Sequence, residues 1–315
     1  MGYPQIPAFA GAPGVIRLIG HRGARGVLPE NTMEGFEFTL KTGVELLELD
    51  VTTTADGVAV ITHNHRLTPS MVRDAEGQWL QATPPKVSAL SFAELQQYDV
   101  GGLDSSSAYG RRFPDQAFLS NIRIPRLADL LALLQQPAHQ GVHLLLEIKS
   151  DPDLLSDTAA RRALVGAVVS EVRKANLQPR TVLHSFDWDL LADCQRLAPE
   201  MPASFLTQLP ENAADVGEDS SKAVNPVAGC TALDLPARVA AAGGQFWCPY
   251  YLDITADSLS LSLARDLGLT TVVWTVNEPE DIERMIDLGV DAICSDYPGR
   301  VQRLLLKRGL HWRAN

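Results

Sequence analysis

The chain is poor in long apolar runs: no window reaches 18 consecutive apolar residues, and Met1 to Pro7 carries neither a basic stretch nor a following apolar segment. Stable membrane insertion and an attached secretory leader are therefore not expected. The expected location is the cytoplasm, although a secreted form with its signal already removed would read the same. Positive charge is also scarce, with 27 Lys and Arg against 38 Asp and Glu and a net charge of -11. That balance argues against nucleic acid as a partner, because phosphate backbones are bound by basic surfaces. An anionic small molecule would have to be attracted locally. The four cysteines, Cys194, Cys230, Cys248 and Cys294, show no CxxC spacing. They read as free thiols, which excludes a disulfide framework or a thiolate zinc site. Aromatic residues make up 6% of the chain within an apolar fraction of 45%, so the core is expected to be aliphatic. Nothing here speaks to the oligomeric state.

A rhythm of strand followed by helix runs through the chain. Val15 to Ile19 reads as a strand. Asn31 and Glu34 then resemble a capping box, and Gly43 closes the helix. Leu46 to Val51 is the second strand, and Ala55-Asp56-Gly57 signals a hairpin into Val58 to Thr62. Later strands are expected at 142–148, 181–183, 203–206, 245–247, 271–274 and 292–294. Helices are expected at 127–134, along the stripe Val165, Val168, Val169 and Val172, and at 190–197, 259–267, 282–288 and 301–306. Alternation of this kind predicts an α/β fold, either a (β/α)8 TIM barrel or a doubly wound sheet. The barrel is favoured because the chemically interesting residues end several different strands. Residues 15–310 read as one domain. Residues 64–124, with one capped turn at Ser91 to Glu94, read as an insertion over the barrel mouth, and 208–232 as a loop.

Within that pattern, Glu48 and Asp50 stand one residue apart in an apolar strand and so point to one face. Two such carboxylates are costly to bury unless a cation, either an arginine network or a metal ion, holds them. Glu147 and Lys149 repeat the spacing after another apolar run. Three carboxylate oxygens suit a hard divalent ion, Mg or Ca. Arg22 and Lys149 suit phosphate oxygens, and His21 and His63 can exchange protons near neutral pH. Phe186 and Trp274, each ending a strand, are candidates for the pocket wall. Asp296 is expected to cap the last helix, with contact to the site as the less favoured alternative.

In order along the chain, the stretches are His21-Arg22-Gly23, Pro29-Glu30-Asn31-Thr32, Glu48-Leu49-Asp50-Val51, Asp56-Gly57 and His63. They continue with Glu147-Ile148-Lys149, Ser185-Phe186 and Trp274-Thr275-Val276-Asn277. This order, from about residue 18 to residue 300, resembles the glycerophosphodiester phosphodiesterase family. The resemblance implies metal-dependent hydrolysis of a glycerophosphodiester to glycerol 3-phosphate and an alcohol, with His21 as base and His63 as acid. It also implies Glu48, Asp50 and Glu147 as metal ligands. One departure is that Asn64 and then His65 follow His63, where the family usually places an acid. Asn64 can orient His63 by a hydrogen bond but brings no charge. His65 would share its face only if the strand continued. Rival readings are head-group release from a lysophospholipid, a glycosidase using the carboxylates, and a non-catalytic binding protein. The largely polar insertion disfavours the first, the side-by-side acids the second, and the intact set of residues the third.

Overall fold

The computed structural model describes residues 5–81, 83–154, 156–212 and 227–313. Its strands are β1 (Arg17–Gly20), β2 (Leu46–Thr53), β3 (Ala59–Ile61), β4 (His143–Ile148), β5 (Thr181–Ser185), β6 (Ala203–Thr207), β7 (Phe246–Pro249), β8 (Thr270–Val273) and β9 (Ala292–Ser295). The helices are α1 (Met33–Lys41), α2 (Phe92–Leu95), α3 (Ala108–Arg112), α4 (Leu127–Leu134), α5 (Thr158–Lys174), α6 (Trp188–Leu197), α7 (Leu235–Ala241), α8 (Leu259–Asp266), α9 (Pro279–Leu288) and α10 (Pro298–Lys307). No described helix is long and apolar enough to cross a membrane.

Eight of the strands run parallel, and the sheet closes because β1 pairs with both β9 and β2. The result is the (β/α)8 barrel. β2 divides one edge between two partners: its first residues pair with β1, while Val51 to Thr53 pair antiparallel with β3. That short hairpin lifts the chain away from the barrel and into the 64–124 excursion. The excursion has a small apolar cluster of its own, built from Leu67, Val72, Val87, Leu95 and Ile124 with Val60 of β3.

The period-2 rule of strands organises the barrel interior. Ile19, Leu46, Leu145, Val182, Leu206, Phe246, Val272 and Ala292 form one inward-facing cluster. Their neighbours Leu18, Leu47, Leu144, Leu183, Phe205, Trp247, Val273 and Ile293 pack outward against the helices. The floor is closed by the N-terminal segment, where fully buried Phe9 meets Phe246 edge-on at 5.5 Å and His143 at 6.2 Å. Composition gave no hint of this plug.

Several sequence expectations need correction. The cap of α1 is Thr32, which accepts from the Gly35 N–H at 3.1 Å, and not Asn31, which sits at φ 56 and turns elsewhere. The capping box at Ser91 to Glu94 is present, but the insertion also holds α3, whose five residues are too few to show a helical period. A further helix, α7, follows the expected 208–232 loop, whose residues 213–226 lie outside the described set. β3 stops at Ile61, so His65 does not share the face of His63. His65 borders a separate cavity with Ser88 and Asp151.

Because Phe9 fills the barrel floor, Phe9→Ala should remove about 3 to 5 kcal/mol from the unfolding free energy in a urea titration. A loss below about 1 kcal/mol would show that the plug is not part of the core.

Candidate active site

Each inward rail of the barrel ends in a polar or aromatic residue at the C-terminal mouth. Ile19 leads to His21, Leu46 to Glu48 and Asp50, Leu145 to Glu147 and Lys149, Val182 to His184 and Phe186, Val272 to Trp274, and Ala292 to Cys294 and Asp296. The cavity there is lined by His21, Arg22, Glu48, His63, Glu147, Lys149, Phe186 and Trp274, with Arg25, Arg112, His184, Tyr250 and Asn277 also on its wall. All the sequence candidates meet at this mouth, although Asp50 lies just behind the lining. The i, i+2 rail that carries Val182 and Phe186 also carries His184, whose Nδ1 pairs with the Ser204 hydroxyl at 2.8 Å.

The acids form the tightest feature. Glu48, Asp50 and Glu147 are all buried, and one oxygen from each lies within 4.8 Å of the others. The strand register explains the meeting, since Asp50 stands directly across from Glu147 in the β2–β4 pair. Burial, then the charges of Asp50 and Glu147, drives the Glu48 carboxyl well above its usual range. Burial raises Glu147 to about 7 against the pull of Lys149. Asp50 goes the other way. Burial opposes its ionisation, but Lys149 and then Arg22 hold its carboxyl well below the usual range. Lys149 Nζ lies 3.0 Å from Asp50 and donates to Glu147 at 2.8 Å, while Arg22 Nε lies 3.2 Å from Asp50. The misplaced Asn31 belongs here: its amide donates to Asp50 at 2.8 Å and its carbonyl accepts from the Asp50 N–H at 3.3 Å.

The turn after β1 is tight. A Cβ on Gly20 would lie 2.3 Å from the carbonyl oxygen of Gly23, so only glycine fits. The turn places Arg22 at φ 48, a left-handed conformation costing about 1–3 kcal/mol that the surroundings must impose. In that conformation its N–H donates to Glu48 at 2.9 Å and its guanidinium donates to Glu30 at 2.8 Å. Glu30 also accepts from the Tyr109 hydroxyl of α3.

The two histidines are held differently. His21 donates from Nδ1 to Asp296 at 2.6 Å, and its Nε2 lies 3.8 Å from Glu48. Asp296 is fully buried and grips the Arg25 guanidinium through both oxygens, at 2.8 and 3.0 Å, while Asn277 donates to it at 2.7 Å. It is therefore not the cap of α10, which begins after Tyr297 with no side-chain cap. Both of its oxygens are taken instead by His21, Arg25 and Asn277. Burial would raise the Asp296 carboxyl, but Arg25 and then His21 keep it well below its usual range. Burial lowers His21 to about 4 in spite of Asp296, so at neutral pH the ring is uncharged. His63 has a neutral partner, its Nδ1 donating to the Asn64 carbonyl oxygen at 2.8 Å, with Asn64 in turn donating to Thr68 at 2.7 Å.

A family model described as the glycerophosphoryl diester phosphodiesterase family matches residues 21–300. The chain belongs to that family. Membership assigns it to an enzyme class, the phosphoric diester hydrolases acting on glycerophosphodiesters. A crystal structure from Silicibacter pomeroyi DSS-3, provisionally named a glycerophosphoryl diester phosphodiesterase, is 52% identical and covers 99% of this chain and all 100% of its own, with a TM-score of 0.88. A glycerophosphodiester phosphodiesterase of Caldanaerobacter subterraneus is 24% identical over 292 residues, or 93% of this chain and 98% of that protein. A phosphodiesterase of Oleispira antarctica, solved in complex with the product sn-glycerol-3-phosphate, shares the fold with a TM-score of 0.66 at 20% identity over 92% of this chain and 97% of its own.

Asp296→Asn keeps the shape of the carboxylate but removes its charge and turns an N–H toward His21. Turnover should fall by about a hundredfold to ten-thousandfold in a steady-state assay, as when a histidine loses the acid that sets its tautomer. A loss under about threefold would show that Asp296 does not orient His21 for turnover.

Proposed function

We propose that the protein hydrolyses glycerophosphodiesters to glycerol 3-phosphate and an alcohol, with a divalent cation, Mg or Ca, held by Glu48, Asp50 and Glu147 and with His21 and His63 as base and acid. The observation that carries this reading is the meeting of three buried acids, two histidines and two phosphate-seeking cations in one pocket. The donor set fits a hard cation. It offers three carboxylate oxygens, two of them on groups that burial and mutual repulsion keep from ionising easily, and Asp50 Oδ1 has no aligned hydrogen-bond donor. When bound, such an ion would polarise the phosphoryl oxygens and offset their negative charge.

The remaining work falls to this chain's own side chains. Arg22, as a fork, and Lys149, as a point charge, bind the non-bridging phosphate oxygens. His21 takes the proton of the attacking oxygen at Nε2. Its low pKa, about 4, keeps that nitrogen unprotonated at neutral pH, and Asp296 steadies the imidazolium once it forms. The Nδ1 of His63 is committed to Asn64, so proton traffic runs through Nε2 toward the leaving alkoxide. Phe186 and Trp274, packed edge-on at 5.4 Å, form an apolar wall for the carbon skeleton of the substrate. Residues 15–310 act as one catalytic domain with 64–124 as its cover, a reading supported by the bonds of Tyr109 to Glu30 and of Gln116 to the Arg25 carbonyl oxygen.

The test is release of glycerol 3-phosphate from glycerophosphocholine and glycerophosphoethanolamine, followed by coupled detection with Mg, Ca or a chelator. Turnover should require the metal, and His21→Ala should lower it by at least about a hundredfold. Turnover that survives chelation would exclude the metal role, and no release from any glycerophosphodiester would exclude the substrate class.

A further inference from the structure

Four cationic side chains line the pocket, and three are already engaged with carboxylates. Arg22 contacts Glu30 and Asp50, Arg25 contacts Asp296, and Lys149 contacts Glu147 and Asp50. Arg112 is the fourth. Among the described residues it has no carboxylate within ion-pair distance, and its guanidinium carbon lies 5.8 Å from the ring of the adjacent Phe113.

The Arg112 side chain is exposed, but the backbone that carries it is held in place. Arg112 ends α3, one turn after Tyr109, and residues three apart lie on the same side of a helix. Tyr109 is buried and fastens that side to the site, donating to Glu30 and accepting from Arg25 at 3.2 Å. Between the two, Gly110 lies so close to the carbonyl oxygen of Asp104 that a Cβ would clash at 2.0 Å, which fixes α3 against its own loop. The cation is thus presented over the pocket by a fastened helix. Its side of the pocket is also informative. His63, the proposed proton donor to the leaving alcohol, borders both the main cavity and a second one under the insertion, lined by Gly102, Leu103 and Gln116. Arg112 lines the main cavity together with His63, so a leaving alcohol protonated by His63 would lie in the same cavity as the Arg112 guanidinium.

We infer that Arg112 selects diesters whose leaving alcohol bears a negative group of its own, a carboxylate or a phosphate. The inference rests on the phosphodiesterase reading above. It concerns the leaving group rather than the scissile phosphate, which Arg22 and Lys149 already serve.

The test measures kcat/KM in two matched pairs. Glycerophosphoserine differs from glycerophosphoethanolamine by one carboxylate, and glycerophosphoinositol 4-phosphate differs from glycerophosphoinositol by one phosphate. Arg112→Gln should lower the charged-to-uncharged ratio in at least one pair by about tenfold, the size of one charge-assisted contact at a partly exposed site. Arg112→Glu should lower it further, and Arg112→Lys should restore part of it. The pair that responds identifies the anion. Ratios that stay within about twofold in both pairs for Gln and Glu would overturn the inference, including the case of an equal loss on every substrate. Release of no glycerol 3-phosphate from any of the four by the unaltered enzyme would overturn the phosphodiesterase reading itself, and this inference with it.

Discussion

Three carboxylates buried within 4.8 Å of one another are the constraint around which this barrel is arranged. Like charges that close, away from water, cannot all ionise without compensation. Some of that compensation is built in. Lys149 comes from the same rail as Glu147, Arg22 is bent into a left-handed turn to reach Asp50 and Glu48, and Asn31 gives up the cap of α1 to bond Asp50 twice. It is incomplete, because Glu48 and Glu147 keep raised pKa values. That deficit, at the mouth of a barrel and beside two histidines, is the basis of the proposed cation site.

The barrel makes the arrangement inexpensive in chain length. Along one inward rail, the step of two residues from Leu145 to Glu147 to Lys149 crosses from the aliphatic floor to the chemical mouth. The same step on other strands delivers His21, His184, Trp274 and Asp296. The two histidines then differ through their partners. His21 is bonded to a buried, ionised Asp296 that Arg25 locks in place, the arrangement on which its proposed role as base rests. His63 leans instead on the neutral Asn64, which fixes the ring through Nδ1 and leaves Nε2 for the proposed proton transfer.

Much of this was legible in the sequence because period-2 and period-3.6 patterns report directly on buried faces. The spacing of Glu48 and Asp50 within leucines, the valine stripe of α5 and the strand-end position of Glu147 led to the barrel and to the acidic cluster. What escaped lacks a period. α3 and α7 are five and seven residues long, and the Phe9 plug acts through a contact more than 230 residues away. Asp296 and Asn31 both precede helices and so resemble caps, and only the fold reveals that another partner, His21 or Asp50, claims each side chain. Arg25, Tyr109 and Arg112 meet the pocket through tertiary contacts that no local spacing encodes.

The most direct test of the central claim is calorimetric titration of the metal-free protein with Mg or Ca at pH 6, in buffers of different ionisation enthalpy. At that pH, Glu147, with its carboxyl raised to about 7, is largely protonated, and burial with the charges of Asp50 and Glu147 pushes the Glu48 carboxyl in the same direction. An ion that binds their carboxylates must displace those protons. The account predicts one ion per chain, bound with net proton release and more tightly as pH rises toward neutrality. Failure to bind either ion, or binding with no proton exchange, would contradict it.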